Sequence, residues 1–494
     1  MRLFSRGRAG PRSVAGQASG ALAWSLLNTA VSRVGTLGIG IVLARVLGPK
    51  EFGTYAVAYI VMIAVMSFNE LGVSLAIVRW PSDPKEIAPT VTTISLVSSA
   101  VLAGMVFLVA PPFADAMGDP RAVNVIRLLG FSVIVSGAVA SPAALLQRQF
   151  RQDLRMLIDQ VNVWVGAITS VVLALLGSGA MSLAVGRVAG AATSGLLFIL
   201  YSPEPFRLGF DRSKVGPLLH FGLPLAAASI GVFAVGSIDQ FIVGKTLGAT
   251  ALGFYVLAFN LSSWPVTMFS LPLRNVAPAV FSRLQHQPDN MRAALRAIIG
   301  VLTAIAVPSC LALSGAAEPI IRLVYGHVWL PAAGVLTWLA ILAALRIFFE
   351  LTYDYLVVIG VSRAILVLQL SWLAALTPAL LLGARSFGIA GAAAAQVIVA
   401  ALVVLPLYLY QFRRVGVPVG LVLRRIGMPV LIGLGVGAGA LALSRSGLPD
   451  VGSILLSGVL ILAGVGGLLY RDRSTLTALR DAARTRTAES EVSA

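Results

Sequence analysis

Fourteen stretches of this chain are each apolar for long enough to cross a lipid bilayer as a helix, which takes about 20 residues. Their limits lie close to 22–46, 52–78, 88–112, 122–147, 156–177, 181–201, 217–244, 251–280, 293–315, 331–359, 363–384, 386–411, 421–444 and 450–470. In hydrocarbon every backbone amide must find its partner inside the chain, and a helix does this locally. The expected fold is therefore an all-α integral membrane protein with about fourteen transmembrane helices. The composition agrees. Of 494 residues, 58% are hydrophobic and 12% charged, with a mean hydropathy of +0.91; a soluble domain carries about twice that charged share. The first stretch is too long for a signal-peptide core and shows no small-residue cleavage pattern. The boundary after the eleventh, set by Gly383 and Arg385, is the least marked.

The net charge is +17. In a soluble chain that would suggest nucleic acid; here its location decides. With the N-terminus in the cytoplasm, the two tails and the inward loops hold 25 of the 37 Lys and Arg, and the outward loops hold seven. This is the asymmetry of the positive-inside rule. It places both termini in the cytoplasm and assigns the excess charge to the anionic inner leaflet, where each basic residue contributes about 1 kcal/mol. No nucleic-acid partner is expected.

One short sentence is written twice. Residues 44–58 read ARVLGPKEFGTYAVA and residues 244–258 read GKTLGATALGFYVLA, so Leu47, Gly48, Gly53 and Tyr55 recur as Leu247, Gly248, Gly253 and Tyr255. Both copies join one stretch to the next at the outer side, six stretches apart. Six is even, so the two halves enter the membrane from the same side and form a parallel repeat about an axis along the membrane normal. LLGSGAMSLAVG at 175–186 and LLGARSFGIAGA at 381–392 repeat at nearly the same offset. The expected organisation is a basic tail (1–21), a six-helix lobe (22–201), a cytoplasmic linker (202–216), a second six-helix lobe (217–411), two further helices (412–470) and a cytoplasmic tail (471–494). Within the repeat, Gly48 suits a left-handed helix cap, Gly53 close helix packing, and Tyr55 an interfacial anchor.

Catalytic patterns are missing. Gly-Lys-Thr at 244–246 lacks the upstream glycine of a phosphate-binding loop, since Asp239 stands in that place. The sole cysteine, Cys310, and the separated His220, His286 and His327 offer no metal-ligand spacing. Neither an enzyme nor a cofactor or metal site is expected.

What remains is charge inside the membrane, which costs a few kcal/mol per group and normally faces a bundle interior or a wet cavity. Arg33 lies mid-span in the first stretch, with Asn28 on the same polar stripe. Asn69 and Glu70 lie in the second, Asp239 and Gln240 in the seventh. Arg346, Glu350 and Asp354 follow at steps of four in the tenth and share a face. Arg33, Asn28, Asn69, Gln240 and Arg346 are substrate-binding candidates of a polar cavity between the halves. Glu70, Asp239, Glu350 and Asp354 are candidates for ion coupling or for charge pairs. Arg127, Arg187 and Arg274, nearer span ends, read as structural.

VSRVGTLGIGIVLARVLGPKEFGTYAVAYIVM at 31–62 and FGLPLAAASIGVFAVGSIDQFIVGKTLGATALGFYVLA at 221–258 resemble the polysaccharide (O-antigen type) flippases of the multidrug/oligosaccharidyl-lipid/polysaccharide exporter superfamily. The resemblance runs through nearly the whole chain. It implies two six-helix lobes around a central cavity that opens alternately to each side, in the bacterial inner membrane. It implies passage of undecaprenyl-diphosphate-linked oligosaccharide, a capsule, exopolysaccharide or O-antigen precursor, from inner to outer leaflet. Arg33 and Arg346 would be the phosphate partners in such a cavity, while Glu70, Glu350 and Asp354 depart from a purely cationic one. A polysaccharide polymerase and glycosyltransferases are candidate partners beside the lipid-linked substrate and the bilayer. A peptidoglycan lipid-precursor flippase and a cation-coupled drug antiporter of the same superfamily remain alternatives, as does a membrane scaffold for glycosyltransferases.

Overall fold

The structure is a computed structural model that describes residues 14–69, 74–80, 83–149, 151–270 and 287–471, together with 277, 281, 282, 284 and 473. Among the described residues there are fifteen α-helices and no strand. They are α1 Val14–Asn69, α2 Ser74–Arg79, α3 Ala88–Ala116, α4 Ala122–Arg148, α5 Gln152–Leu175, α6 Ala180–Leu200, α7 Arg212–Leu247, α8 Ala249–Pro265, α9 Pro288–Gly315, α10 Ala317–Tyr325, α11 Pro331–Ile359, α12 Ser362–Val399, α13 Leu405–Arg414, α14 Val419–Arg445 and α15 Asp450–Arg471. One π-helical stretch, Val266–Ser270, extends α8, and another, Ala400–Val404, joins α12 to α13.

Ten of the described helical segments are long and apolar enough to cross a membrane. Two of them contain a break and count as two legs each. In α1 the break is Gly48, at φ 70 and ψ 173. In α12 it is Gly388, at φ 63 and ψ −147, after a distorted Phe387. With α7 and α8 the legs match the fourteen stretches of the sequence. Two details differ from expectation. The twelfth leg begins at Gly388 and not at Gly383 or Arg385, because the chain turns where glycine alone tolerates the dihedrals. Gly48 and Gly248 have the positive φ expected of a helix cap, but their ψ values of 173 and 174 are extended. That region of backbone space is essentially reserved for glycine.

The first six legs form one lobe and the next six the other, and the last two helices are an addition. α14 lies along α9, with Gly437 close to the Leu311 backbone and Gly315 close to the Gly437 backbone, the small-residue approach by which helices associate in lipid. The two copies of the repeat meet. A methyl group on Gly53 would run into the Ala249 carbonyl oxygen, and one on Gly253 would lie 2.5 Å from the Pro49 carbonyl oxygen and 3.1 Å from Gly53 Cα. The second leg of α1 and the start of α8 therefore cross in backbone contact at one end of the lobes.

Other contacts at the same end reinforce that crossing. The Arg45 guanidinium donates to the carbonyls of Leu323 (2.5 Å) and Val324 (2.7 Å), the free acceptors at the C-terminal end of α10. Trp329 is fully buried and donates from Nε1 to the Ala44 carbonyl at 3.1 Å. Its ring stands edge-on between Phe52 (5.6 Å, 86°) and Phe254 (5.7 Å, 87°), one from each lobe. At the opposite end, Leu218 of α7 is buried against Ala76, Ile77, Ile87 and Leu145 of the first lobe. Between α1, α3 and α7 lies a cavity of about 510 Å³, lined by Ile60, Val65, Val106, Phe113, Phe233 and Phe241 among others.

Candidate functional site

The second lobe holds a polar cluster inside its apolar core. α7 contributes Asp239, which is 4% exposed. α8 contributes Tyr255, whose hydroxyl donates to Asp239 Oδ2 at 2.9 Å. The second leg of α12 contributes Gln396, whose amide donates to Asp239 Oδ2 at 3.2 Å and also to the Tyr255 hydroxyl. The other carboxyl oxygen, Oδ1, is buried without a hydrogen-bond partner. A buried polar atom left without a partner carries a desolvation cost of about 1–3 kcal/mol.

Arg346 of α11 lies near enough to act electrostatically on both Asp239 and Tyr255. Its guanidinium lies 5.7 Å from the centroid of the Phe259 ring and 3.8 Å from Glu350. Glu350 in turn accepts from the buried Ser270 hydroxyl at 3.0 Å. Asp354, half-buried, follows one turn further along α11. Gln240 is half-buried next to Asp239.

The structure thus brings together Asp239, Arg346 and Glu350, with Gln240 and Asp354 beside them. Arg33 and Asn28 fall on the first leg of α1 and Asn69 on the last residue of α1, but their side chains lie outside the described residues, as does the whole of Glu70. Two members went unforeseen. Gln396 is a lone amide in the run GAAAAQVIV, and an isolated amide in an apolar span is itself a signal. Tyr255 corresponds to the residue read as an interfacial anchor in the first copy. Instead it is completely buried, seven residues or about 10 Å into the helix, and bound to the carboxylate. Its counterpart Tyr55 is half-buried and stacked on Tyr59 at 5.7 Å. Arg187, read as structural, is exposed and lies 5.7 Å from the centroid of the Tyr59 ring.

Among the described residues the chain has an all-helical fold of two six-leg lobes with polar groups held between apolar helices. Two solved structures share it: the lipid II flippase MurJ in an inward closed conformation (TM-score 0.73, 14% identity, 90% of this chain and 98% of that one), and an inward-facing multidrug resistance MATE family transporter of the MOP superfamily (0.64, 16%, 77% and 93%). At these identities they establish the fold alone. The chain belongs to the polysaccharide biosynthesis protein family, whose sequence profile matches residues 42–334. Among its relatives are the succinoglycan biosynthesis transport protein ExoT of Rhizobium meliloti (28% identical, 64% of each chain) and the lipopolysaccharide biosynthesis protein WzxC of Escherichia coli (24%, 65% of this chain and 66% of that one). A more distant one is the teichuronic acid biosynthesis protein TuaB of Bacillus subtilis (19%, 56% and 58%). The matched stretch spans slightly under two thirds of the length of the first two.

Proposed function

We propose that this protein is a flippase of the bacterial inner membrane. It carries an undecaprenyl-diphosphate-linked oligosaccharide, a precursor of capsule, exopolysaccharide or O-antigen, from inner to outer leaflet by alternating access. Both termini lie in the cytoplasm. The diphosphate and sugars travel between the lobes while the polyprenyl tail stays in lipid. The observation that carries this reading is the crossing of the two repeat copies at Gly53 and Gly253. It joins the lobes at their outer end while Arg346, Glu350, Ser270 and Asp239 lie deeper in the membrane. A substrate that leaves outward must pass where those two helices now touch. The relatives' association with succinoglycan, lipopolysaccharide and teichuronic acid favours a lipid-linked sugar over a drug.

The cavity candidates are Arg33, Asn28, Asn69, Gln240 and Arg346. Asp239, with one unpartnered oxygen, leads the coupling candidates over Glu70, Glu350 and Asp354. A polymerase and glycosyltransferases of the same pathway are the expected partners. The test is a deletion strain without a paralogue. It should lose its surface polysaccharide and accumulate the lipid-linked repeat on the cytoplasmic side; normal surface polysaccharide overturns the reading. The overall likeness to a lipid II flippase keeps a peptidoglycan precursor as the second reading, and inviability of the deletion strain would select it.

A further inference from the structure

Six arginines collect at the end of the second lobe that lies away from the Gly53–Gly253 crossing. Arg292 and Arg296 stand near the start of α9, Arg413 and Arg414 on the last turn of α13, and Arg424 and Arg425 near the start of α14. From there α9 runs to Gly315, next to α10, whose last carbonyls hold Arg45 beside the crossing. Little acid balances them. The sequence has one carboxylate between residues 271 and 300, Asp289, and none between 405 and 449. Asp289 lies 3.3 Å from Arg292 but its side chain is 94% exposed, and an exposed pair of this kind is worth little.

Three of the six are seated in the seam between α9 and α14. The two helices run side by side in parallel, with Gly433 against Val307 and Leu311, and Gly437 against the Leu311 backbone. The same register sets Arg425 level with Gly300, and Gly416 level with Arg292. A methyl group on Gly300 would run into the Arg425 guanidinium, and one on Gly416 would lie 2.7 Å from that of Arg292. Arg296 stands between these levels on the same face of α9, and its Nε donates to the Arg292 carbonyl at 3.3 Å. Successive levels are about 6 Å apart. One phosphate, with oxygens on opposite sides, can therefore meet two planar forks of this row.

Snorkelling alone does not give such an arrangement. A snorkelling arginine extends along its own helix toward water. Arg425 and Arg292 reach sideways instead, one onto Gly300 of α9 and the other onto Gly416 just before α14. All three seam arginines are half-buried, whereas Arg413, Arg414 and Arg424 are exposed. The depth also fits a phosphate. Between Arg425 and Arg445, α14 has nineteen residues without a charge, about 28 Å of helix against the ~30 Å of a hydrocarbon layer. The row therefore sits at the edge of the apolar layer. Beyond it the exposed side of α14 is apolar, with Met428, Leu431 and Leu434 at 41%, 66% and 54% exposure.

We propose that the α9–α14 seam is a binding site for an anionic phospholipid. The phosphate rests on Arg425, Arg296 and Arg292, and the chains lie along the exposed face of α14. An acidic protein would match the charge but leave that apolar continuation unused. With both termini in the cytoplasm, this end faces the inner leaflet, whose anionic lipids the site would draw on. The lobes could not make it alone, since Arg425 comes from a helix outside the six-leg repeat. The site goes beyond the flippase reading and does not depend on it.

The experiment measures lipid binding to the purified full-length protein in detergent, with phosphatidylglycerol, phosphatidylethanolamine and glycerol 3-phosphate as probes. The wild type should bind phosphatidylglycerol about tenfold or more tighter than phosphatidylethanolamine. Arg296→Gln with Arg425→Gln should bring the two lipids close to parity. Arg413→Gln with Arg414→Gln removes the same charge at the same end but outside the seam, and should leave the preference largely in place. Arg296→Lys with Arg425→Lys keeps the charge, loses the forks and should fall between. Glycerol 3-phosphate should displace little of the lipid, because the chains are held too. A wild type without the preference overturns the proposal, as does an equal loss from the two Gln pairs, which a diffuse positive surface would give. Full displacement by glycerol 3-phosphate removes the lipid as occupant. So does binding of a polyglutamate peptide in place of phosphatidylglycerol, which assigns the seam to an acidic protein. If Arg425→Gln lowers the lipid-free melting temperature, Arg296→Gln alone carries the comparison, with the same expected direction. The flippase reading stands under each of these outcomes.

Discussion

Gly53 and Gly253 are two hundred residues apart in sequence and touch through their backbones at one end of the lobes. Each occupies the same place in its own copy of the repeat, so the chain closes that end by laying one copy across the other. Hydrogen in place of a side chain is a requirement at both positions.

Gly53→Leu should wedge the crossing apart. Overpacking of this kind costs about 1–3 kcal/mol or more, and a bias of that size shifts the equilibrium of a two-state gate towards its open form about 5- to 150-fold. With Ala249→Cys as reporter and Cys310→Ala as background, labelling by an impermeant maleimide from outside should be slow in the parent and fast in Gly53→Leu. Equal rates would show that the crossing does not control access.

Trp329 is the pin of the same closure, held by Phe52, Phe254 and the Ala44 carbonyl. Trp329→Ala should cost about 3–5 kcal/mol and lower the melting temperature of the purified protein clearly. Trp329→Phe keeps a ring in the cage and loses one hydrogen bond, about 1 kcal/mol, so its melting should stay near the wild type. Equal damage from both changes would contradict the packing role of the ring.

Asp239 is the proposed coupling group. Asp239→Asn preserves shape and can still accept from Tyr255 and Gln396, so the protein should insert and melt normally. In proteoliposomes its flipping should no longer respond to an imposed ion gradient, while the wild type does. A gradient response in the variant removes Asp239 from coupling. Tyr255→Phe should instead cost stability, about 1–3 kcal/mol, since it strips a donor from a buried carboxylate.

Asp119 gives the outer hairpin between α3 and α4 a dependence on pH. Burial alone would raise its pKa, but donation from the Thr54 hydroxyl (2.5 Å) and the Arg121 guanidinium outweighs burial and leaves it below the ordinary carboxylate value. A depressed folded-state pKa contributes stability above the unfolded value, and that contribution is lost as the pH falls through the folded one. Acidification below about pH 4 should therefore lower the melting temperature of the wild type more than that of Asp119→Asn. Parallel curves would refute the assignment.

The helical legs were legible because crossing a bilayer demands long apolar runs, and the offset of 200 revealed the parallel halves. Gly53 was legible as a packing residue but not its partner, because a repeat gives equivalence and not contact. Asp239, Arg346 and Glu350 were legible because charge in an apolar span stands out. The role of Tyr255 was not legible, because its repeat counterpart Tyr55 suggests only an interfacial aromatic, and only the position of Asp239 one helix away makes Tyr255 a core donor. The contact of Arg187 with the Tyr59 ring was not legible, because the ring comes from another helix.

The most direct measurement of the flippase reading is leaflet sidedness in proteoliposomes holding the purified protein and a lipid-linked oligosaccharide loaded in one leaflet. An impermeant sugar-oxidising or sugar-binding probe reports the exposed fraction over time. The expected result is transfer to the opposite leaflet that depends on the protein and slows with Arg346→Gln. Transfer no faster than in protein-free vesicles, under every imposed ion gradient and membrane potential, would contradict it.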